Sequence, residues 1–145
     1  MVPLFRKILI ATDGSENNRS AICEAMRLAQ ALGSDLVVVY VIDTGVLNSA
    51  AFGEGADFVL SSLKAEGDKA IGLVRELAKG TNVAVDAQIL QGKPASAITS
   101  FAAKNGIDLI VVGASGKSGI EELLLGSVAD RVIRTASCPV LVVKT

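Results

Sequence analysis

An open α/β fold, doubly wound around a five-stranded parallel sheet with helices on both faces, is what this sequence predicts. Three observations carry that expectation. Apolar runs of strand length alternate with stretches of helical period. Some runs are apolar throughout, as strands covered on both faces must be. The chain has 145 residues, 50% of them hydrophobic, enough for one well-buried core and too few for two ordinary domains.

Lys7 to Thr12 reads as a buried strand. Ala21, Ile22, Ala25, Met26, Ala29 and Leu32 then recur at helical spacing until Gly33 supplies a stop. Leu36 to Ile42 is a second strand, almost wholly apolar. Between Asp43 and Ala56 the composition turns to Gly, Ser, Asn and Ala, with Gly45, Gly53 and Gly55 arguing for a mobile loop. Leu60, Leu63, Ala70, Ile71, Val74, Leu77 and Ala78 make a second helix ending at Gly80, weakened inside by Gly67 and Gly72. The alternation from Val83 to Leu90 suits a strand near the sheet edge. Pro94 opens a third helix, Ile98, Phe101 and Ala102 form its stripe, and Asn105-Gly106 ends it before the strand Asp108 to Val112. Val128, Val132, Ile133 and Ala136 mark a last helix, and Pro139 precedes the final strand, Val140 to Val143.

Right-handed crossovers place ligands of such sheets at the carboxyl ends of the strands, where the winding reverses. Strand order is left open by these patterns. If the first and fourth strands are neighbours, the loop Thr12-Asp13-Gly14-Ser15 faces the loop from Gly113 to Ser127.

Composition narrows the partners. Net charge is −1 and the pI near 5.4, with Lys and Arg scattered among Asp and Glu, so no basic face invites nucleic acid. Mean hydropathy is +0.51, yet the apolar stretches fall far short of the ~18–20 residues of a membrane span. Ile8-Leu9-Ile10, after Arg6 and Lys7, is too short for a signal-peptide core, so no membrane association and a cytoplasmic location are expected. Cys23 and Cys138 form no C-x-x-C pair and read as structural thiols. Histidine is absent, which excludes Ser-His-Asp and Cys-His machinery and confines any metal to oxygen ligands, such as magnesium riding on phosphates.

Gly113, Gly116, Gly126 and Ser127 punctuate the last third as G-x2-G-x9-G-S, directly after Leu109-Ile110-Val111-Val112 and before a helix. Glycines let backbone approach a ligand, and a helix start offers unpaired N–H groups with a partial positive charge, so the layout suggests a phosphate site. Gly116-Lys117-Ser118 matches the end of a Walker A motif, but Val111 stands where its first glycine belongs. Gly113, Gly116 and Gly119 cannot open a dinucleotide half-site with only one strand remaining.

The spacing Gly113-Ala-Ser-Gly116, nine residues, Gly126-Ser127 resembles the nucleotide-binding signature of the universal stress protein family. So do Lys7-Ile-Leu-Ile-Ala-Thr-Asp13-Gly-Ser, Val39-Tyr-Val-Ile-Asp43, Asp108-Leu-Ile-Val-Val-Gly113, Leu124-Leu-Gly-Ser127 and Cys138-Pro-Val-Leu-Val-Val143. On this resemblance residues 1–145 form one universal stress protein domain. The resemblance implies a Rossmann-like, adenine nucleotide alpha-hydrolase-like sheet of order 3-2-1-4-5. It also implies, in one subclass, binding of ATP or another adenine nucleotide, with Mg2+ or Mn2+ held through the phosphates. Carried onto this chain, Thr12 and Asp13 contact the nucleoside, Asp13 near the ribose, the Val41 backbone meets adenine, and Ala11 lines the same pocket. Val112, Gly113, Ser115 and Gly116 pass under ribose and phosphates, while Gly126, Ser127, Val128 and Ala129 hold the phosphates. A homodimer through the apolar edge strand Val140 to Val143 is implied as well, and such an edge calls for a cover in any case. The chain departs from the family at Ala114-Ser115, where many ATP-binding members have Ser followed by His or Arg, and at Ala11, a frequent proline. Glu121 and Glu122 add negative charge near the phosphates.

Several of these residues also have roles that need no ligand. Ser127 can be a helix N-cap with Asp130 in a capping-box-like position. Asp13 can open a turn with Gly14, and Lys117 can be merely solvated. Three functions follow for testing: a dimeric ATP-binding sensor or regulator in stress response, an interaction module for an unknown protein partner without nucleotide, or a slow, partner-dependent ATPase. Asp13 is the only obvious group to activate water, and near the ribose it is badly placed for that, so no catalytic residue and no protein metal ligand is assigned.

Overall fold

The computed structural model describes residues 4–45, 55–115 and 125–144. Five parallel strands, β1 (Lys7–Ala11), β2 (Asp35–Asp43), β3 (Val85–Gly92), β4 (Leu109–Gly113) and β5 (Val140–Val143), form one sheet in the order β3-β2-β1-β4-β5. Helices α1 (Arg19–Leu32), α2 (Ala56–Ala78), α3 (Pro94–Lys104) and α4 (Ser127–Thr135) accompany them. The α/β class, the parallel sheet and the order 3-2-1-4-5 are those expected.

The alternation of side chains along each strand builds two cores. Ile8, Ile10, Leu36, Val38, Leu109 and Val111 pack with Ala21, Ile22, Ala25 and Met26 of α1 and Val74 of α2 on one face. Leu9, Val37, Val39, Ile110 and Val112 pack with Ala95, Ile98 and Ala102 of α3 and Ala129 and Val132 of α4 on the other. Both faces of the central strands are therefore covered, which is why β1, β2 and β4 read as unbroken apolar runs. Burying each large aliphatic side chain stabilises the fold by about 1.5–3 kcal/mol.

Helix boundaries follow local chemistry. Gly33 ends α1 in the left-handed region at φ 68°, and Ser34 N–H closes the turn on Ala29 O at 2.9 Å. At the amino ends of the strands, Asp108 Oδ2 accepts from the N–H groups of Arg6 at 2.8 Å and Lys7 at 3.0 Å, tying the start of β1 to that of β4.

Some boundaries differ from expectation. β3 runs two residues later than the alternation indicates, because its register is set by β2, from Leu36↔Val85 to Asp43↔Gly92. α2 begins at Ala56, before its first periodic apolar residue, so Asp43 and Ala56 belong to regular elements and not to the expected loop. Residues 46–54 of that loop lie outside the described residues. Thr12 lies just past β1, although its N–H still bonds Val39 O at 2.9 Å. Among the described residues no helix is long and apolar enough to cross a membrane.

The two glycines inside α2 have different reasons. Gly67 is buried, and a Cβ there would stand 2.8 Å from Tyr40 Cδ1. Gly72 is exposed, with nothing within 4 Å of a Cβ. Gly72→Ala is therefore expected to stabilise the protein by about 0.5–1 kcal/mol, through helix propensity alone. Chemical denaturation would check it, and an unchanged or lower midpoint would refute it.

Candidate functional site

The winding direction reverses between β1 and β4, since β1 leads through α1 to β2 on one side and β3 returns through α3 to β4 on the other. At the carboxyl ends of these strands lies a cavity of about 450 Å³, within the range of small-ligand sites.

Its wall is assembled from five segments and two single residues. The end of β1 contributes Ala11, Thr12 and Asp13, and the end of β2 contributes Tyr40, Val41, Ile42 and Asp43. Pro94 and Ile98 come from α3, and Val112, Gly113, Ala114 and Ser115 from the end of β4. Gly126, Ser127, Val128 and Ala129 come from the start of α4. Asn18 and Leu63 complete it. Of the twelve residues singled out from the sequence, eleven thus line one cavity: Ala11, Thr12, Asp13, Val41, Val112, Gly113, Ser115, Gly126, Ser127, Val128 and Ala129. The twelfth, Gly116, lies outside the described residues, as do Lys117, Glu121 and Glu122.

Hydrogen bonds shape the first loop. Asp13 Oδ1 accepts from Ser15 N–H at 2.9 Å and from Ser15 Oγ–H at 2.6 Å, and Gly14, at φ 79°, donates its N–H to Thr12 Oγ1 at 3.2 Å. The turn role foreseen for Asp13 is thus real, with Ser15 as partner, and among the described residues it engages one carboxylate oxygen, Oδ1. Asp43 repeats the device at the end of β2, its Oδ1 accepting from Gly45 N–H at 2.8 Å.

The start of α4 corrects the reading of Ser127 as a cap. Gly126 is the N-cap, at φ −62° and ψ 155°, and no side chain caps this end. Asp130 N–H makes the first bond, to Gly126 O at 2.9 Å, so the N–H groups of Ser127, Val128 and Ala129 precede the helical ladder. They carry the positive end of the helix dipole toward the cavity. Ser127 is the first helical residue, and it is exposed. Asp130 instead pairs with Arg134, 3.1 Å away.

Nor do Gly113 and Gly126 serve a left-handed backbone, because neither has a positive φ. They serve close approach. A Cβ on Gly113 would stand 3.1 Å from Asn18 Nδ2, and one on Gly126 would stand 3.1 Å from Ala114 O. Gly126 N–H donates to that same oxygen at 2.7 Å, and Ala114 N–H donates to Val143 O at 2.9 Å, so the floor of the site is fastened to β5.

The electrostatics are unusual for an anion site. Asp13 and Asp43 are the charged residues of the described lining, which holds no Lys or Arg. Among the described residues, an anion bound here meets backbone dipoles and no side-chain cation. Cys138 lies outside this wall, and burial, reinforced by the Asp108 carboxylate, raises its thiol pKa, so it stays protonated at neutral pH.

Asn18, Tyr40, Ile42, Asp43, Leu63, Pro94, Ile98 and Ala114 were not singled out as site residues from the sequence, although they line the cavity. The signal available for Asp43 was its place after an apolar strand. Asn18 lies in a short 3-10 turn, Glu16–Asn18, and only the adjacency of β1 and β4 brings it to Gly113.

Comparison with known proteins agrees with this architecture. A universal stress protein of Methanocaldococcus jannaschii is 40% identical over 141 residues, covering 97% of this chain and 83% of that protein. Hypothetical protein MJ0577 superposes with a TM-score of 0.86 at 29% identity, over 98% of this chain and 97% of that one. A universal stress family protein of Arabidopsis thaliana, solved with AMP bound, shares the fold at a TM-score of 0.71 and 18% identity, covering 96% of this chain and 91% of that one. With the universal stress protein family model matching residues 4–144, the chain belongs to the universal stress protein family.

Proposed function

We propose that this universal stress protein domain, residues 1–145, binds an adenine nucleotide, ATP in the first instance, and works as a dimeric cytoplasmic sensor or regulator. The observation that carries the reading is the pairing, in one cavity, of an apolar slot with an uncapped helix start. Val41, Ile98 and Val112 offer the slot for a base, and the amides of Ser127, Val128 and Ala129 receive phosphate. Asp13, with one carboxylate oxygen left over from its turn, faces the ribose. The Arabidopsis chain of the same fold holds AMP, which accords with a base, a ribose and at least one phosphate here.

Asp13 and Asp43 make the described lining anionic, so a polyphosphate is expected to bring its own Mg2+ or Mn2+, held through the phosphates. Turnover is expected to be slow without a partner, because Asp13, near the ribose, is badly placed to activate water at the terminal phosphate. Dimerisation through β5 is supported by its position. It is an edge strand paired on one side to β4, and Val140, Leu141, Val142 and Val143 are all only half-buried.

Denaturing the purified protein and identifying released small molecules by mass spectrometry tests the reading directly. An adenine nucleotide in near-stoichiometric amount is expected. If none is released and titration shows no binding, the alternative of a nucleotide-free interaction module with a protein partner takes its place.

A further inference from the structure

Asp43 is a carboxylate in the cavity wall, half-buried at the last position of β2. Alternation along the strand fixes its direction. Val37, Val39 and Val41 turn to the face covered by α3 and α4, whereas Tyr40 and Ile42 turn to the face of α2, so Asp43 rises on the same face as Val41. The start of α3, with Pro94 and Ile98, walls the cavity on that side. Asp43 Oδ1 accepts from Gly45 N–H at 2.8 Å, while Oδ2 accepts no bond among the described residues and keeps solvent-accessible surface. No Lys or Arg of the described lining neutralises it. The amides at the start of α4 lie elsewhere, because Gly126 N–H on Ala114 O holds them at the end of β4, two strands or about 10 Å from β2.

A nucleotide with its phosphates at α4 and its base against Val41 turns one edge of that base toward Asp43. An ionised carboxylate accepts and does not donate, so it selects an edge that carries a donor. Adenine has an amino group at its 6-position, where guanine and hypoxanthine have a carbonyl oxygen. The amino group carries two N–H bonds, enough to serve a carboxylate oxygen and the Val41 backbone together. A carbonyl oxygen in the same place sets acceptor against acceptor, which rejects the wrong base as well as favouring the right one. Building on the adenine-nucleotide reading above, we propose that Asp43 Oδ2 accepts a hydrogen bond from the 6-amino group, which makes Asp43 a residue that selects adenine over 6-oxopurines.

Titration calorimetry with ATP, inosine triphosphate and purine riboside triphosphate, which has no 6-substituent, tests this on the wild-type protein, Asp43→Asn and Asp43→Ser. Both variants keep a side-chain oxygen for Gly45 N–H, so both are expected to melt as the wild type does. The wild type is expected to bind the purine riboside form roughly tenfold, and the inosine form roughly ten- to hundredfold, more weakly than ATP. In both variants the preference for ATP over inosine triphosphate is expected to shrink by roughly tenfold, most in Asp43→Asn, whose amide can donate to a carbonyl. The ratio is the readout, because removing a negative charge also changes the attraction for any triphosphate. A role confined to the Gly45 turn leaves that ratio unchanged. An unchanged ratio in either folded variant, or a wild type that binds all three nucleotides equally, overturns the proposal and leaves adenine-nucleotide binding standing. Failure of the wild type to bind any of the three overturns both.

Discussion

Gly126→Val is expected to weaken adenine-nucleotide binding by roughly tenfold or more while the protein remains folded. Backbone conformation is not the obstacle, because φ −62° and ψ 155° suit any residue. Space is. A Cβ would stand 3.1 Å from Ala114 O and 3.6 Å from Ser115 Cα, and these are backbone atoms that cannot rotate aside. The loop ends must therefore separate, which strains the 2.7 Å bond from Gly126 N–H to Ala114 O and shifts the start of α4. The amides of Ser127, Val128 and Ala129 move with it, and a group that binds by position loses affinity when displaced by a fraction of an ångström. Damage to the fold should be limited, since Ala114 and Ser115 lie at the crest and not in either core. Calorimetric titration beside a thermal melt separates the two effects. Wild-type affinity in a folded variant would show that the start of α4 does not hold the ligand.

Gly67→Ala is expected to destabilise the protein by about 1–3 kcal/mol, a fall of several degrees in Tm, even though alanine is the better helix former by about 1 kcal/mol. The added methyl would stand 2.8 Å from Tyr40 Cδ1 and 3.2 Å from Ile89 Cδ1. Tyr40 is 3% exposed and packs with Ile42 and Ala70, so its ring has little room to retreat. Its hydroxyl hydrogen bond to Glu66, at 3.3 Å, is too long to anchor it strongly. The same ring lines the cavity, so the substitution couples stability to the site. A raised melting temperature would show that helix propensity prevails and that the Tyr40 ring can turn away.

These two glycines show where sequence reading runs out. Gly67 read as a defect in α2, and its reason became visible only with Tyr40 of β2 against it. Gly126 read as a phosphate-loop glycine, and the structure adds a contact with Ala114 that holds whether or not a ligand is present. Ser127 read as a phosphate contact that could also cap the helix, with Asp130 three residues on, yet the hydrogen-bond ladder begins one residue earlier, at Gly126. Asn18 gave no signal, being one polar residue among several in Ser15-Glu16-Asn17-Asn18.

The elements and the fold class were legible in the chain because each rests on near neighbours: alternation within a strand, a period of 3.6 within a helix, Gly33 after α1, Pro94 at the start of α3. The glycine signature was legible for the same reason. Register and the wall of the cavity were decided only by tertiary structure. β2 dictates where β3 begins, and the adjacency of β1 and β4 brings Asn18 to Gly113 across 95 positions of sequence, numbers 18 and 113. Such contacts depend on which strands adjoin and how far each is shifted, and no run of neighbouring residues encodes that by itself.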